Sequence, residues 1–232
     1  MSEANRQHQM GNQPMLLITI DGPAGAGKTT VSKMLARKLG YRYLDTGALY
    51  RAVAYAVRAA GIRPDDDRKL RDVCDTLQLN IAGNRFVLNG VDISDRIRSP
   101  EISMLASAVS ARPVVRQALL GLQREMGENG GLVAEGRDMG TVVFPEADLK
   151  FFLDATVEQR AWRRFAQYGQ DKGQTLEQIA HDIRRRDEND SSRDVAPLRP
   201  ADDAVLIDST TMTARQVVDW IMAHVREMTA HV

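Results

Sequence analysis

Residues 16 to 39 limit what this chain can become more than any other stretch. Leu16-Leu17-Ile18-Thr19-Ile20 is an apolar run of strand length, and Thr30 to Leu39 carries apolar side chains at 31, 34, 35 and 39, which is helical spacing. Between them lies Gly22-Pro23-Ala24-Gly25-Ala26-Gly27-Lys28-Thr29, a match to G-x-x-x-x-G-K-S/T in the strand-to-helix setting that pattern requires. Such a loop turns backbone N–H groups and a helix N-terminus toward one anionic chain. Gly22, Gly25 and Gly27 let the backbone curl without Cβ clashes. Lys28 is placed to reach the β- and γ-phosphates and Thr29 to offer a hydroxyl to Mg²⁺, with Thr30 completing the turn. A glycine turn with a chance lysine would explain none of the flanking pattern. The expected ligand is a nucleoside triphosphate with Mg²⁺.

Strands and helices alternate along most of the remaining chain. Tyr41 to Leu44 reads as a second strand, followed by a helix with Leu49, Ala52, Val53 and Ala56 on one face, and Arg68 to Thr76 as a further helix. Leu77 to Ala82, Arg85 to Leu88 and Val91 to Ile93 are short β-like runs separated by Gly83-Asn84 and Asn89-Gly90, which are hairpin signals. Helices are expected over Pro100 to Val109 and Pro113 to Met126, and core strands over Gly131 to Glu135 and Leu149 to Leu153. A capping-box pattern at Thr156 to Gln159 opens a helix to about Tyr168, and another helix covers Leu176 to about Asn189. Ala204 to Ile207 is a last strand and Thr213 to His231 a closing helix. This order predicts an α/β fold: a parallel sheet with helices on both faces, a small inserted antiparallel sheet and a helical lid.

Charge and composition narrow the partners. The 31 basic and 31 acidic residues cancel, which argues against a nucleic-acid surface but leaves room for a local cationic pocket. The single cysteine, Cys74, has neither a disulfide partner nor metal-ligand spacing and is expected to be a small apolar residue on a helix. No apolar run nears the ~18 residues of a membrane span, and Met1 to Pro14 is polar without an apolar signal stretch. A cytoplasmic monomer with no membrane partner is the expectation.

A phosphate loop names the donor and not the reaction. Asn-Lys-x-Asp, which selects guanine, is absent; Asp154 and Asp208 end apolar strands but are followed by Ala155 and Ser209, not by the glutamate of a hydrolysing motor. Transfer to a second small molecule is the reading that remains. Three segments suit its acceptor. Asp45-Thr46-Gly47-Ala48-Leu49-Tyr50-Arg51 follows a strand, where open α/β sheets bind ligands. Thr46 can hydrogen-bond an acceptor and Arg51 can hold a phosphate bidentately, or the two are an N-cap and a solvated arginine. Glu135-Gly136-Arg137-Asp138-Met139-Gly140 follows another strand, and its Arg137 and Asp138 serve either a ligand or a structural ion pair. Arg186, Asp190 and Arg193 share a face if their helix persists, with the carboxylate orienting two guanidiniums on a mobile flap. As an exposed network the same spacing is worth only ~0.5 kcal/mol.

In order and separation, the phosphate loop, Asp45 to Arg51, Glu135-Gly136-Arg137-Asp138-Met139-Gly140-Thr141-Val142-Val143-Phe144-Pro145 and the segment from Arg186-Asp187 to Ala196-Pro197-Leu198 resemble the bacterial cytidylate kinases, over about residues 15 to 228. The resemblance implies a P-loop nucleoside monophosphate kinase that uses ATP and Mg²⁺ to phosphorylate CMP or dCMP. By position it implies Ser107, Arg116 and Asp138 around the cytosine, and Arg51, Arg137 and Arg193 on the acceptor phosphate. Arg186 and Asp190 would meet the ribose, with Arg186 also near the transferred group. Lys28, Arg137, Arg186 and Arg193 become the catalytic set. Thr46 stands where some members have serine, and Asn189, Ser191 and Ser192 where some carry more arginine. The implied organisation is a tail over 1–14 and one domain over 15–232: core 15–46, 111–164 and 198–232, monophosphate-binding region about 47–110 (enlarged by the inserted sheet), and lid about 165–197. A kinase for another acceptor, such as UMP or shikimate, and an ATP-gated regulatory protein are the rival readings.

Overall fold

A computed structural model describes residues 15–82, 85–168 and 173–230. The tail expected over 1–14 and the turn expected at Gly83-Asn84 lie outside the described residues. Strand β1 (Leu17–Asp21) passes through the glycine loop into α1 (Lys28–Leu39), then β2 (Arg42–Asp45), α2 (Thr46–Ala59) and α3 (Asp67–Asp75). Short strands β3 (Leu79–Ala82), β4 (Arg85–Leu88) and β5 (Val91–Asp92) follow, then α4 (Pro100–Ser110) and α5 (Pro113–Gly127). The chain re-enters the main sheet as β6 (Leu132–Glu135), makes a π-helical turn over Met139–Val143 and continues as β7 (Leu149–Asp154). Helices α6 (Val157–Tyr168) and α7 (Leu176–Ser192), strand β8 (Val205–Asp208) and α8 (Ala214–Ala230) complete it.

The main sheet is five-stranded, in the order β2-β6-β1-β7-β8, and every pairing in it is parallel. A strand inside a parallel sheet is covered on both faces, so an unbroken apolar run is what it needs. Successive residues then feed opposite layers. Leu132 and Ala134 of β6 pack with Leu49, Val53, Ile102 and Val115 of the helices on one face. Val133, with Ile18 and Ile20, packs with Val31 and Leu35 of α1 and Val217 and Ile221 of α8 on the other. The separate antiparallel sheet runs β3-β4-β5. Asn89 and Gly90 join β4 to β5 with φ of 49° and 82°, the two positive values a type I′ hairpin turn needs.

All five strands of the main sheet end on an acid, namely Asp21, Asp45, Glu135, Asp154 and Asp208. One rim of the sheet is therefore a row of carboxylates. Two details differ from the sequence reading. Helix α7 runs on to Ser192, past Asn189, because Asp190 is tied inward. Both arms of a capping box form at Thr175 and Gln178, whereas at Thr156 the hydroxyl accepts from the Gln159 N–H at 3.3 Å. No helix among the described residues is long and apolar enough to cross a membrane.

Glycine is required at 22 for a reason beyond its φ of +145°: a Cβ there would overlap the Leu153 carbonyl oxygen of the neighbouring β7. Gly40, which caps α1 at φ +70°, has nothing within 4 Å of its would-be Cβ. Gly40→Ala is expected to cost about 1 kcal/mol from backbone conformation alone, and Gly22→Ala more than about 3 kcal/mol from added overlap. Urea denaturation of both variants checks this; equal losses would contradict the close approach of loop and strand.

Candidate active site

A cleft of about 1010 Å³ opens over the carboxyl ends of the strands, between the glycine loop, the start of α2, α4, the segment after β6, and helices α6 and α7. On the loop side, Gly22, Pro23, Ala24, Gly25, Ala26 and Gly27 carry the chain from β1 to α1, with Gly25 and Gly27 at φ +80° and +99°. Gly27 caps α1 without any side-chain hydrogen bond to its first turn, which leaves those N–H groups for an anion. Lys28 is buried, and its Nζ donates to the carbonyls of Gly22 and Pro23, both at 2.7 Å. Burial, reinforced by the charge of Arg137, pushes this ammonium well below its ordinary pKa. A nearby anion would reverse that destabilisation. Thr29 and Thr30 are exposed at the start of α1.

The rim acids are built into the scaffold. Asp21 accepts from the backbone N–H groups of Met139 (2.9 Å) and Gly140 (2.8 Å), which fixes the π-helical turn. Asp45 caps α2 through the Ala48 N–H at 2.9 Å and pairs with Arg51 at 3.0 Å. Glu135 accepts from the Tyr43 hydroxyl and is hydrogen-bonded by Thr29; burial, then the charge of Asp45, raise its carboxyl to about 7. No cluster of three or more His, Cys, Asp or Glu among the described residues could hold a metal on its own. A hydroxyl beside one carboxylate does fit Mg²⁺, which keeps several waters and takes its other ligands from phosphate oxygens.

Across the cleft, two carboxylates organise the arginines. Asp138 is 2% exposed and pairs with Arg116, whose guanidinium also lies over the Tyr50 ring at 5.6 Å, and with Arg193 at 3.6 Å. Asp190, 3% exposed, accepts from Arg137 Nε and from the Ser107 hydroxyl, both at 2.9 Å, and sits 3.9 Å from Arg186 Nε. Burial alone would raise the Asp190 carboxyl; Arg137 and Arg186 outweigh it and hold it below the usual range.

Two alternatives that the sequence left open are decided here, and one expectation changes. Arg137 and Asp138 are adjacent but do not pair; each crosses to another element. Asp190 lies between Arg186 and Arg137, not between Arg186 and Arg193. The helix stops at Ser192, and the extended backbone of Arg193 (ψ 141°) sends that side chain toward Asp138. Thr46 is not the N-cap of α2, a role Asp45 fills; the Thr46 hydroxyl donates to the Glu135 carbonyl at 2.7 Å. The remaining candidates, Arg51, Ser107, Arg116, Arg186 and Asp190, all line the one cleft. Asp21, Tyr43, Arg160 and Asp187 were not singled out, although the acid ending an apolar strand was the available signal for Asp21. Cys74 sits half-buried on α3, as expected, with burial raising its thiol pKa.

Arg51 Nε, Arg186 Nε and Arg193 Nη2 are buried without a hydrogen-bond acceptor. A buried guanidinium N–H with no acceptor is costly, and all three side chains line one cleft opposite a phosphate loop. Anionic oxygens are the chemistry that satisfies them.

A family model described as cytidylate kinase matches residues 18–227. The chain belongs to the cytidylate kinase family. It is 51% identical to a cytidylate kinase of Geobacter sulfurreducens over 91% of this chain and 93% of that one. It is 48% identical to one from Pseudomonas aeruginosa over 92% and 96%. A solved structure of an uncharacterized protein from Eubacterium ventriosum aligns with a TM-score of 0.51 at 11% identity, over 91% of this chain and 98% of that one. At that identity it speaks to the fold alone. For this member of the cytidylate kinase family, the long string after β6 is thus both a set of charged groups and the turn that Asp21 holds.

Burial raises the Asp21 carboxyl to about 6, against two backbone N–H groups that favour its charged form. The native protein then holds a proton that the unfolded chain has already released. This stabilising term is full below about pH 4 and is lost as pH rises through 6. Asp21→Asn abolishes the titration and leaves one backbone N–H poorly matched. The stability of the variant relative to wild type is expected to improve by roughly 2–3 kcal/mol between pH 4 and pH 8. Denaturant titrations across that range measure it, and a pH-independent difference would contradict a titrating, buried Asp21.

Proposed function

We propose that the protein transfers the γ-phosphoryl group of ATP to CMP, and to dCMP, giving ADP and CDP or dCDP. Family membership supports the reaction class. The observation that carries the site assignment is the set of buried, unmatched guanidinium N–H groups lining the cleft opposite the phosphate loop. Residues Gly22 to Thr30 would hold the ATP phosphates, with Lys28 on the β- and γ-phosphates and Thr29 as the protein ligand to Mg²⁺. When bound, the ion supplies charge neutralisation and orientation to the triphosphate. Arg51, Arg137 and Arg193 would hold the acceptor phosphate, and Arg186 and Asp190 the ribose, with Arg186 also reaching the transferred group.

Little covalent chemistry falls to the protein in such a transfer. An oxygen of the CMP phosphate attacks the γ-phosphorus as the bond to ADP breaks, and the task is alignment and charge compensation. The acceptor is already an anion, so no general base is needed. Ser107, Arg116 and Asp138 would face the cytosine. Asp138, which already accepts from Arg116, suits the exocyclic amine of cytosine, where uracil presents a carbonyl. Shikimate carries no amine, which favours the nucleotide reading over that rival.

Product separation after incubation with ATP, Mg²⁺ and each of CMP, dCMP, UMP and shikimate tests the proposal. CDP and dCDP are the expected products; slow ADP release with no phosphorylated acceptor would favour a regulatory ATP-binding protein instead. Lys28→Met keeps the buried stem and removes the ammonium, and is expected to lower kcat about 10²- to 10³-fold, as loss of one preorganised donor does. Asp138→Asn is expected to shrink the CMP-over-UMP ratio of kcat/KM at least about tenfold, since a rotated amide can donate to the uracil carbonyl. An unchanged ratio with uniformly lower rates would reduce Asp138 to a partner of Arg116.

A further inference from the structure

We propose that Arg160 and Asp187 form a positioning pair that stitches helix α7 to the phosphate loop and so sets where Arg186 and Asp190 stand. This rests on the transfer reaction proposed above. The pair grips one residue of the loop from both sides. The Ala24 N–H donates to Asp187 Oδ1 at 3.3 Å, the Ala24 carbonyl accepts from Arg160 Nη1 at 3.1 Å, and Arg160 Nη1 also donates to Asp187 Oδ2. These contacts close a ring through a single loop residue. Arg160 Nε is held by the Ala155 carbonyl at 2.8 Å, and the side chain is only 6% exposed. With Nε and Nη1 engaged by protein acceptors, Arg160 is a positioning residue and not a phosphate ligand. The next loop residue agrees: a Cβ at Gly25 would lie 3.1 Å from the Arg160 Cβ, so loop and α6 are in contact at this point.

The placement of Asp187 within α7 gives the contact its consequence. Asp187 follows Arg186 directly, and Asp190, less than a turn further on, reaches Ser107 of α4 and Arg137 after β6. One turn of α7 therefore touches the donor side through Asp187 and the acceptor side through Asp190, within about 5 Å of helix rise. Apolar packing does not fix that turn to the loop. The small cluster of Ala161, Ile179, Ala180 and Ile183, with Val157 and Phe165, joins α7 to α6 and is separate from the two main core clusters. The link between α7 and the loop is polar, and Arg160 with Asp187 supplies it.

Loosening the pair should leave the substrates bound but misplace Arg186 and admit water. The test compares wild type, Asp187→Asn, Arg160→Gln, Arg160→Lys and the Arg160→Gln/Asp187→Asn double variant, following ADP and CDP together with melting temperature. Wild type is expected to release ADP and CDP one for one; if it makes no CDP, the transfer reading falls before the pair is tested. Given a competent wild type, each of Asp187→Asn and Arg160→Gln is expected to lower kcat about 10- to 100-fold while KM for ATP moves less than about threefold, the pattern of interactions made only in the reacting complex. ADP should then exceed CDP. The double variant should be no worse than the poorer single variant within about threefold, because the two residues act as one unit. Arg160→Lys keeps the charge but not the fork and should fall in between. Unchanged kcat with one-for-one products, or losses that multiply in the double variant, would overturn the proposal. If the neutral variants do not fold, Arg160→Lys decides it: wild-type coupling of ADP to CDP in that variant would sink the idea.

Discussion

Positive charge cannot be packed into a protein interior without acceptors, and this fold is arranged around meeting that demand incompletely. Lys28, Arg116 and Asp138 are all under 9% exposed, and Arg137, Arg186 and Arg193 stand beside them in the same cleft. Removing such charges from water costs several kcal/mol each unless partners restore the loss. Asp138 and Asp190 do most of that work, each serving two guanidiniums. Arg51 Nε has no hydrogen-bond acceptor, and Arg186 Nε and Arg193 Nη2 reach those carboxylates only at 3.9 and 3.6 Å, too far for a hydrogen bond; these are the N–H groups a polyanion would engage. Binding and stability are thus opposite sides of one charge balance, which is consistent with a cationic cleft in a chain whose formal net charge is +0.

The parallel sheet makes the arrangement possible by ending every strand on an acid at the same rim. Each of those carboxylates has backbone or side-chain donors nearby. Asp21 takes the N–H groups of Met139 and Gly140, Asp45 takes that of Ala48, and Asp208 takes that of Thr210. The string after β6 is therefore only partly chemical. Arg137 and Asp138 enter the cleft, while Met139 is fully buried and Gly140 lies where a Cβ would come within 3.1 Å of the Thr19 hydroxyl. The Phe144 N–H closes the π-helical turn on the Met139 carbonyl at 2.7 Å. Much of what makes this string recognisable is a packing requirement that delivers two charged side chains to the right edge.

What the sequence disclosed and what it withheld divide along contact distance. The loop from Gly22 to Thr29 was legible because its geometry is decided by glycines and by the elements on either side of it. The Asn89-Gly90 turn and most helix limits were legible for the same reason. The partners of the charged residues were not. Arg137 meets Asp190 across 53 positions and Ser107 meets Asp190 across 83, so nothing local announces either pair, and the adjacency of Arg137 and Asp138 points the wrong way. The last residues of α7 were missed because nothing local shows that Asp190 is anchored from two other elements. Arg160 gave no signal at all, since among exposed helical arginines it is indistinguishable without its position against Ala24.

The single turn of α7 that reaches both halves of the cleft also joins their thermodynamics. Order imposed on that turn from the loop side does not have to be imposed again from the α4 side, and the reverse holds equally. Two ligands that share one segment in this way must raise each other's affinity by the same factor. The four residues from Asp187 to Asp190 would then make a pair of adjacent binding sites behave as one cooperative unit, with a half-filled cleft disfavoured relative to either an empty or a full one.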